Sequence, residues 1–165
     1  MSKSFFSCDS VTHQGKSNTW FTPKWIIDAI GPFDFDPCTE TTRPFDTAKF
    51  HCESGKIDGL TAQWSGRVWL NPPYGKETPK WLDKLRVHGN GIAIVFTAFE
   101  TKWGQDHAKT ADGILLMAGR VSFIDQFGKT QNNAGKGSCL IAYGNENVKD
   151  ISKIKGVLVR GLYGR

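Results

Sequence analysis

A chain of 165 residues with 39% hydrophobic side chains suits one domain that buries roughly 70% of its unfolded surface. No apolar run approaches the ~20 residues that span a bilayer, and the N-terminus lacks the apolar segment of a signal peptide. Four scattered cysteines, Cys8, Cys38, Cys52 and Cys139, form no CxxC pair, which argues against a zinc ribbon or a disulfide framework and for reduced thiols in the cytoplasm. The net charge is +5. The first 82 residues carry nine basic and nine acidic side chains and the remainder twelve and seven, so all the excess lies in the second half. Such a distribution fits either a polyanionic partner or a solvated basic face.

Residues 1–18 are polar and unpatterned and read as a loose arm; residues 19–165 read as one domain. Thr22 is placed as an N-cap and Pro23 at the first helical position, with Trp25, Ile26, Ile27 and Ile30 forming an apolar face that stops at Gly31-Pro32. Phe33-Asp34-Phe35-Asp36 alternates like a short strand ending at Pro37. Residues 39–65 are irregular, with a short strand expected over 48–51, and 67–70 is the next strand. Thr78 and Pro79 open a helix that continues through Leu85, with Thr78 as its N-cap. The unbroken apolar run 91–97 suits a strand covered on both faces. A short helix follows over 103–109, then strands at 113–117, 121–123 and 138–143, a helix over 148–155 and a last strand at 157–159. Residues 125–137, rich in Gly, Asn and Gln, read as a long mobile loop. Strands alternating with helices indicate an α/β domain with a largely parallel central sheet, in which ligands bind beyond the strands' carboxyl ends. Asp36 and Asn71 are expected at two such ends.

The most distinctive stretch is Asn71-Pro72-Pro73-Tyr74, directly after Val68-Trp69-Leu70. The prolines fix their own φ, push Asn71 and Pro72 towards extended backbone and carry no N–H for a sheet ladder. An amide oxygen and a backbone carbonyl are thus free to face one point, with Tyr74 as a flat wall beside it. Two acceptors and a ring suit a planar group bearing an NH2, such as an adenine; a glutamine amide presents a similar group.

Phe21-Thr22-Pro23, Phe35-Asp36-Pro37-Cys38 and Asn71-Pro72-Pro73-Tyr74 occur in that order. The set resembles the amino-group methyltransferases that use S-adenosylmethionine, and more closely the small phage-type, Dam-like DNA N6-adenine methyltransferases. The likeness continues through Asp58-Gly59-Leu60, Trp64, Trp69, Lys80-Trp81, Thr101-Lys102-Trp103, Gly119-Arg120 and the 138–144 segment. It implies an abbreviated Rossmann-like methyltransferase fold, S-adenosylmethionine as cofactor and DNA as partner. It also implies a phage- or prophage-encoded protein in a bacterial cytoplasm, with protection from restriction as a role. Asn71 and the Pro72 carbonyl would hold the adenine amino group, Pro73 would shape the turn and Tyr74 would stack on a flipped base. Cofactor contacts would come from Thr22, Pro23, Asp36, Pro37, Cys38, Asp58, Leu60 and Asn71. No glycine follows Asp36 before Thr41, and 35 residues separate Asp36 from Asn71, so the intervening portion must be short.

Phosphate contacts are expected from Lys76, Lys102, Arg120, Lys129 and Lys136; Gln131, Asn132 and Asn133 either read base edges or belong to a simply solvent-exposed loop. The four histidines have no metal-ligand spacing, and no metal is expected. Beside the DNA methyltransferase stand two other readings: a methyltransferase of a glutamine amide or RNA base, and an inactive nucleic-acid-binding module of the same fold.

Overall fold

The structure, a computed structural model, describes residues 20–130 and 135–161. The expected arm at 1–18 and the candidate base-reading residues Gln131, Asn132 and Asn133 lie outside the described residues. A seven-stranded sheet has the order β2-β1-β3-β4-β6-β5-β7. Its strands are β1 (Phe35–Thr39), β2 (Phe50–Glu53), β3 (Val68–Leu70), β4 (Gly91–Phe96), β5 (Gly113–Met117), β6 (Ser138–Tyr143) and β7 (Gly156–Arg160). β2, β1, β3 and β4 pair in parallel, whereas β6 runs antiparallel to both β4 and β5, and β7 antiparallel to β5. β5 therefore points the same way as β4. This is the Rossmann-like α/β methyltransferase architecture expected from the sequence.

Period-two alternation builds the core on both faces of the sheet. Trp69, Ile92, Ile94, Leu115, Leu140 and Ala142 point to one face, where α1 (Lys24–Ile30) contributes Ile26, Ile27 and Ile30, and α4 (Asn145–Ile151) contributes Val148 and Ile151. Val68, Leu70, Ala93, Val95, Ile114, Cys139, Ile141 and Tyr143 point to the other, where α2 (Thr78–His88) lays down Trp81, Leu82 and Leu85 beside α3 (Lys102–Thr110). Each of those large α2 side chains contributes roughly 1.5–3 kcal/mol through burial. Trp69, at 1% exposure, is core, as its place inside an apolar strand indicates.

The chain leaves β1 towards β2 on one side and returns to place β3 on the other, so the sheet's switch point lies between β1 and β3. No helix occurs between β1 and β3, which accounts for the short spacing between Asp36 and Asn71. Arg43 pins the β1–β2 connection by reaching Asp46, Glu53 and the Glu40 carbonyl.

Several expectations require correction. Pro23, with φ −63° and ψ 142°, occupies the N-cap of α1, so Thr22 lies one residue too early to cap it. β1 begins at Phe35 and continues through Pro37 to Thr39, with an irregular register between Asp36 and Thr39 that accommodates the proline. Asp36 therefore sits inside the strand and not at its end. β2 starts two residues later than expected, and α4 ends earlier, at Ile151. Residues 121–123 form no strand: Val121 and Phe123 fill the core from an extended segment, and the sheet-like pairing falls at Ile124, which bridges Phe21 and Thr130. The described start of the expected mobile loop is an ordered turn, where Asp125 Oδ1 accepts from the N–H groups of Phe127 and Lys129.

Candidate active site

Asn71 emerges from the carboxyl end of β3 at the switch point, where α/β sheets place their ligands. Its Nδ2 donates to the Trp20 carbonyl at 2.9 Å. A carbonyl only accepts, so this bond sets the amide's orientation. The other amide atom, Oδ1, is buried and has no partner. Pro72 is buried and Pro73 half-buried. Thr78 Oγ1 donates to the Pro73 carbonyl at 2.8 Å and accepts from the Gly75 N–H at 2.9 Å. Thr78 thus closes the proline turn instead of capping α2, whose N-cap position belongs to Glu77. Gly75 has φ 138°, which favours a residue without Cβ at this bend.

The Tyr74 ring stacks on Phe96, at the end of β4, with centroids 4.2 Å apart and planes 20° from parallel. Phe96 meets Phe123 edge-on, and Phe123 meets Trp20 edge-on. An aromatic chain thus runs from Tyr74 back to the residue that orients Asn71. The Tyr74 hydroxyl is buried and unpartnered, and burial pushes its pKa up, so it stays protonated. Thr22 is 3% exposed and its hydroxyl also lacks a partner. It follows Phe21, which Ile124 ties into place through two main-chain hydrogen bonds.

A second group gathers around β1. Asp36 is 2% exposed; Oδ1 accepts from the Cys38 N–H and Oδ2 from the Thr47 hydroxyl. Burial raises its pKa, and those two hydrogen bonds oppose the rise. The Asp58–Leu60 turn lies directly against this strand, because a Cβ on Gly59 would stand 1.8 Å from the Pro37 carbonyl oxygen. Asp58 Oδ1 accepts from the Leu60 N–H, and the residue is otherwise exposed. Lys84 donates to the carbonyls of Gly59, Leu60 and Ala62 at 3.1, 2.7 and 2.5 Å, and Trp64 Nε1 donates to Gly59. Desolvation lowers the Lys84 pKa.

The candidates therefore fall into two clusters at one end of the sheet. Thr22, Asn71 and Tyr74 lie with Trp20 and Phe96 towards the α1 face. Asp36, Pro37, Cys38, Asp58 and Leu60 adjoin one another, and Cys38 and Leu60 pack towards the α2 face. Pro23 is buried beside Thr22 at the start of α1. Trp20, Phe96, Thr78, Thr47 and Lys84 complete these arrangements and were not singled out as site residues by motif. Only Phe96 carried a legible signal, as an aromatic residue at the carboxyl end of an apolar strand.

The basic candidates surround the same end. Lys76 follows β3, Lys102 follows β4, Arg120 follows β5, and Lys136 precedes the antiparallel β6. Lys129 lies in the ordered turn beyond Ile124, and all five are exposed. Lys102 is held by Asp106 at 2.6 Å. Among the described residues no cluster of three or more His, Cys, Asp or Glu could hold a metal ion, and no helix is long and apolar enough to cross a membrane.

Comparison with curated proteins and with solved structures gives no match. A family model described as DNA N-6-adenine-methyltransferase (Dam) matches residues 9–157, nearly the whole chain and both clusters. The acceptor-bearing proline turn, the Rossmann-like sheet around it and this match lead to one conclusion: the chain belongs to the Dam family of DNA N-6-adenine-methyltransferases and is an enzyme that methylates adenine N6 in DNA.

Proposed function

We propose that this enzyme transfers a methyl group from S-adenosylmethionine to N6 of an adenine flipped out of DNA, by direct in-line attack. The observation that carries this reading is Asn71. Its amide nitrogen is committed to Trp20 while its oxygen, buried and unpartnered, is left to accept a hydrogen. The adenine amino nitrogen is a poor nucleophile because its lone pair is delocalised into the ring. Asn71 Oδ1 and the Pro72 carbonyl accept its two hydrogens, localise that lone pair and stabilise the positive charge that develops on nitrogen. As nitrogen takes the methyl group and the methyl–sulfur bond breaks, the amino group becomes a strongly acidic cation whose proton passes to water, so no strong general base is required. Tyr74, whose ring lies against Phe96, supplies a stacking surface for an extruded base.

The residues of the second cluster, together with Thr22, Pro23 and Asn71 from the first, would hold S-adenosylmethionine. The cofactor supplies an electrophilic methyl group on a sulfonium centre. The unpartnered Thr22 hydroxyl, with Pro23 beside it, suits the polar methionine tail. Asp36 retains acceptor capacity beyond its two hydrogen bonds, and Pro37 and Cys38 shape the adjoining wall. Asp58 Oδ2 is open to an adenine NH2, and Leu60 offers an apolar contact. Asn71 borders both the cofactor's methyl end and the target base. Lys76, Lys102, Arg120, Lys129 and Lys136 form a basic rim for DNA phosphates.

The test is incubation with DNA and methyl-labelled S-adenosylmethionine, followed by nucleoside analysis, with 2-aminopurine placed at the target as a probe of base extrusion. Label in N6-methyladenine together with a fluorescence rise on binding supports the reading. Label elsewhere, or methylation without extrusion, contradicts it.

A further inference from the structure

Ser138 opens β6 and is 1% exposed, yet its hydroxyl has no hydrogen-bond partner. A buried hydroxyl without a partner loses its water contacts and gains nothing in return. Folding alone therefore gives no reason for serine rather than alanine at this position. Its surroundings do. Ser138 pairs with Phe96 across the antiparallel β4–β6 ladder, and opposed residues project from the same face. That face is the one bearing Leu140 and Ala142 on β6 and Trp69 on β3. Phe96 is the ring on which Tyr74 stacks.

The strand order β1-β3-β4-β6 sets Ser138 two strands from Asn71 and three from Asp36. At ~4.8 Å per strand and ~3.3 Å per residue, with register offsets of two and four residues along the strands, these are separations of roughly 12 and 20 Å between backbones. A base gripped by its amino group at Asn71 spans the shorter gap, whereas the β1 cluster lies beyond it. We propose that Ser138 is a base-binding residue whose hydroxyl donates to a ring nitrogen of the target adenine. This inference rests on the reading of the Asn71–Tyr74 turn as the adenine site. A base that enters by parting Tyr74 from Phe96 comes within reach of Ser138.

The chemistry is complementary. Asn71 Oδ1 and the Pro72 carbonyl accept from the amino group. The ring nitrogens N1, N3 and N7 accept only, so they need a donor, and a serine hydroxyl supplies one. The acceptors at Asn71 and Pro72 discriminate against guanine, which has a carbonyl where adenine has its amino group, and a Ser138 bond to N1 would add to this because guanine carries an N–H there.

The test uses the full chain and an oligonucleotide carrying the adenine it methylates, with that base replaced in turn by its 1-deaza, 3-deaza and 7-deaza analogues. Ser138→Ala should lower kcat/KM for DNA about tenfold, the loss of one hydrogen bond. Its melting temperature should be equal or higher, and its S-adenosylmethionine affinity by calorimetry unchanged. One analogue should cost the wild type about tenfold and cost Ser138→Ala nothing further. Full activity in Ser138→Ala, a loss confined to cofactor affinity, or undiminished sensitivity of the variant to all three analogues would overturn the proposal. Asn71→Ala, measured alongside, separates the two claims. Retained turnover there would remove the adenine site itself, whereas its inactivation with a null result for Ser138 would remove only the role of Ser138.

Discussion

The side-chain amide of Asn71 is anchored by the main-chain carbonyl of Trp20, 51 residues away in sequence, at 2.9 Å. This bond decides which atom of Asn71 is left for a ligand. Because the partner is backbone, no side-chain change at position 20 abolishes the acceptor, though a change there can displace it. The Asn71 amide is thus positioned by the segment leading into α1, and the same segment carries Thr22.

Thr22 does not cap α1, and its hydroxyl has no partner among the described residues. Thr22→Ala should therefore change unfolding free energy by less than about 1 kcal/mol, since no hydrogen bond is lost. It should weaken S-adenosylmethionine binding several-fold, as read by calorimetry. A clear drop in melting temperature with unchanged cofactor affinity would assign Thr22 to packing.

Thr78 joins both sides of the proline turn, accepting from Gly75 and donating to Pro73. Thr78→Val keeps the shape and removes both bonds, so kcat should fall at least tenfold and stability by about 1–3 kcal/mol. Thr78→Ser keeps the hydroxyl and should restore most of kcat. A loss in Thr78→Ser with little or none in Thr78→Val would show that the methyl group, not the hydroxyl, matters.

Much of this arrangement was legible in the sequence, for identifiable reasons. β4 and β6 were readable because both faces of each strand are buried, which leaves unbroken apolar runs. The proline turn was readable because its residue types leave few structural alternatives. What escaped depends on contacts distant in sequence. The Trp20 carbonyl is backbone and leaves no residue-type signal, and Ser138 resembles any strand-edge serine until Phe96 is seen opposite it. Thr22 and Thr78 both looked like N-caps by local rule; Pro23 takes the N-cap of α1 instead, and the Thr78 hydroxyl is taken up by Gly75 and Pro73. Asp36 was expected at a strand end; Pro37 proved compatible with a strand because the β1–β2 register is irregular there.

Arg67 works at the opposite end of β3 from Asn71. It donates to Asn147 Oδ1, to the Pro32 carbonyl and to Asp150 Oδ2, and it lies over the Phe33 ring at 4.6 Å. Removing it leaves Asp150, 21% exposed, without this partner. Arg67→Ala should destabilise by about 2–4 kcal/mol in denaturant titration. kcat measured well below the melting temperature should stay within about twofold of wild type. A large loss of kcat without destabilisation would link this ion pair to the site.

His107 is buried, with Nδ1 2.8 Å from the Tyr143 hydroxyl. Burial lowers its pKa, and His51 shifts the same way for the same reason. Above pH 6.5, the ordinary histidine value, both folded and unfolded chains carry these rings neutral, and the rings contribute no pH dependence. Below it the unfolded chain takes up protons that the folded chain resists, so stability falls as pH falls. Each ring contributes at most about 1.4 kcal/mol per pH unit. Urea titrations between pH 7.5 and 5 should show this decline, and His107→Gln should flatten it. A decline as steep in the variant would exclude His107 as a source.

The most direct measurement compares wild type with Asn71→Ala for transfer of label from S-adenosylmethionine into N6-methyladenine of DNA, with cofactor affinity measured on the same samples. The methylation rate should fall by about 10²–10³ or more, the scale for losing a preorganised charge-stabilising group, while cofactor affinity changes less than about threefold. Wild-type turnover in Asn71→Ala would contradict the assignment of its amide oxygen as the acceptor for the adenine amino group.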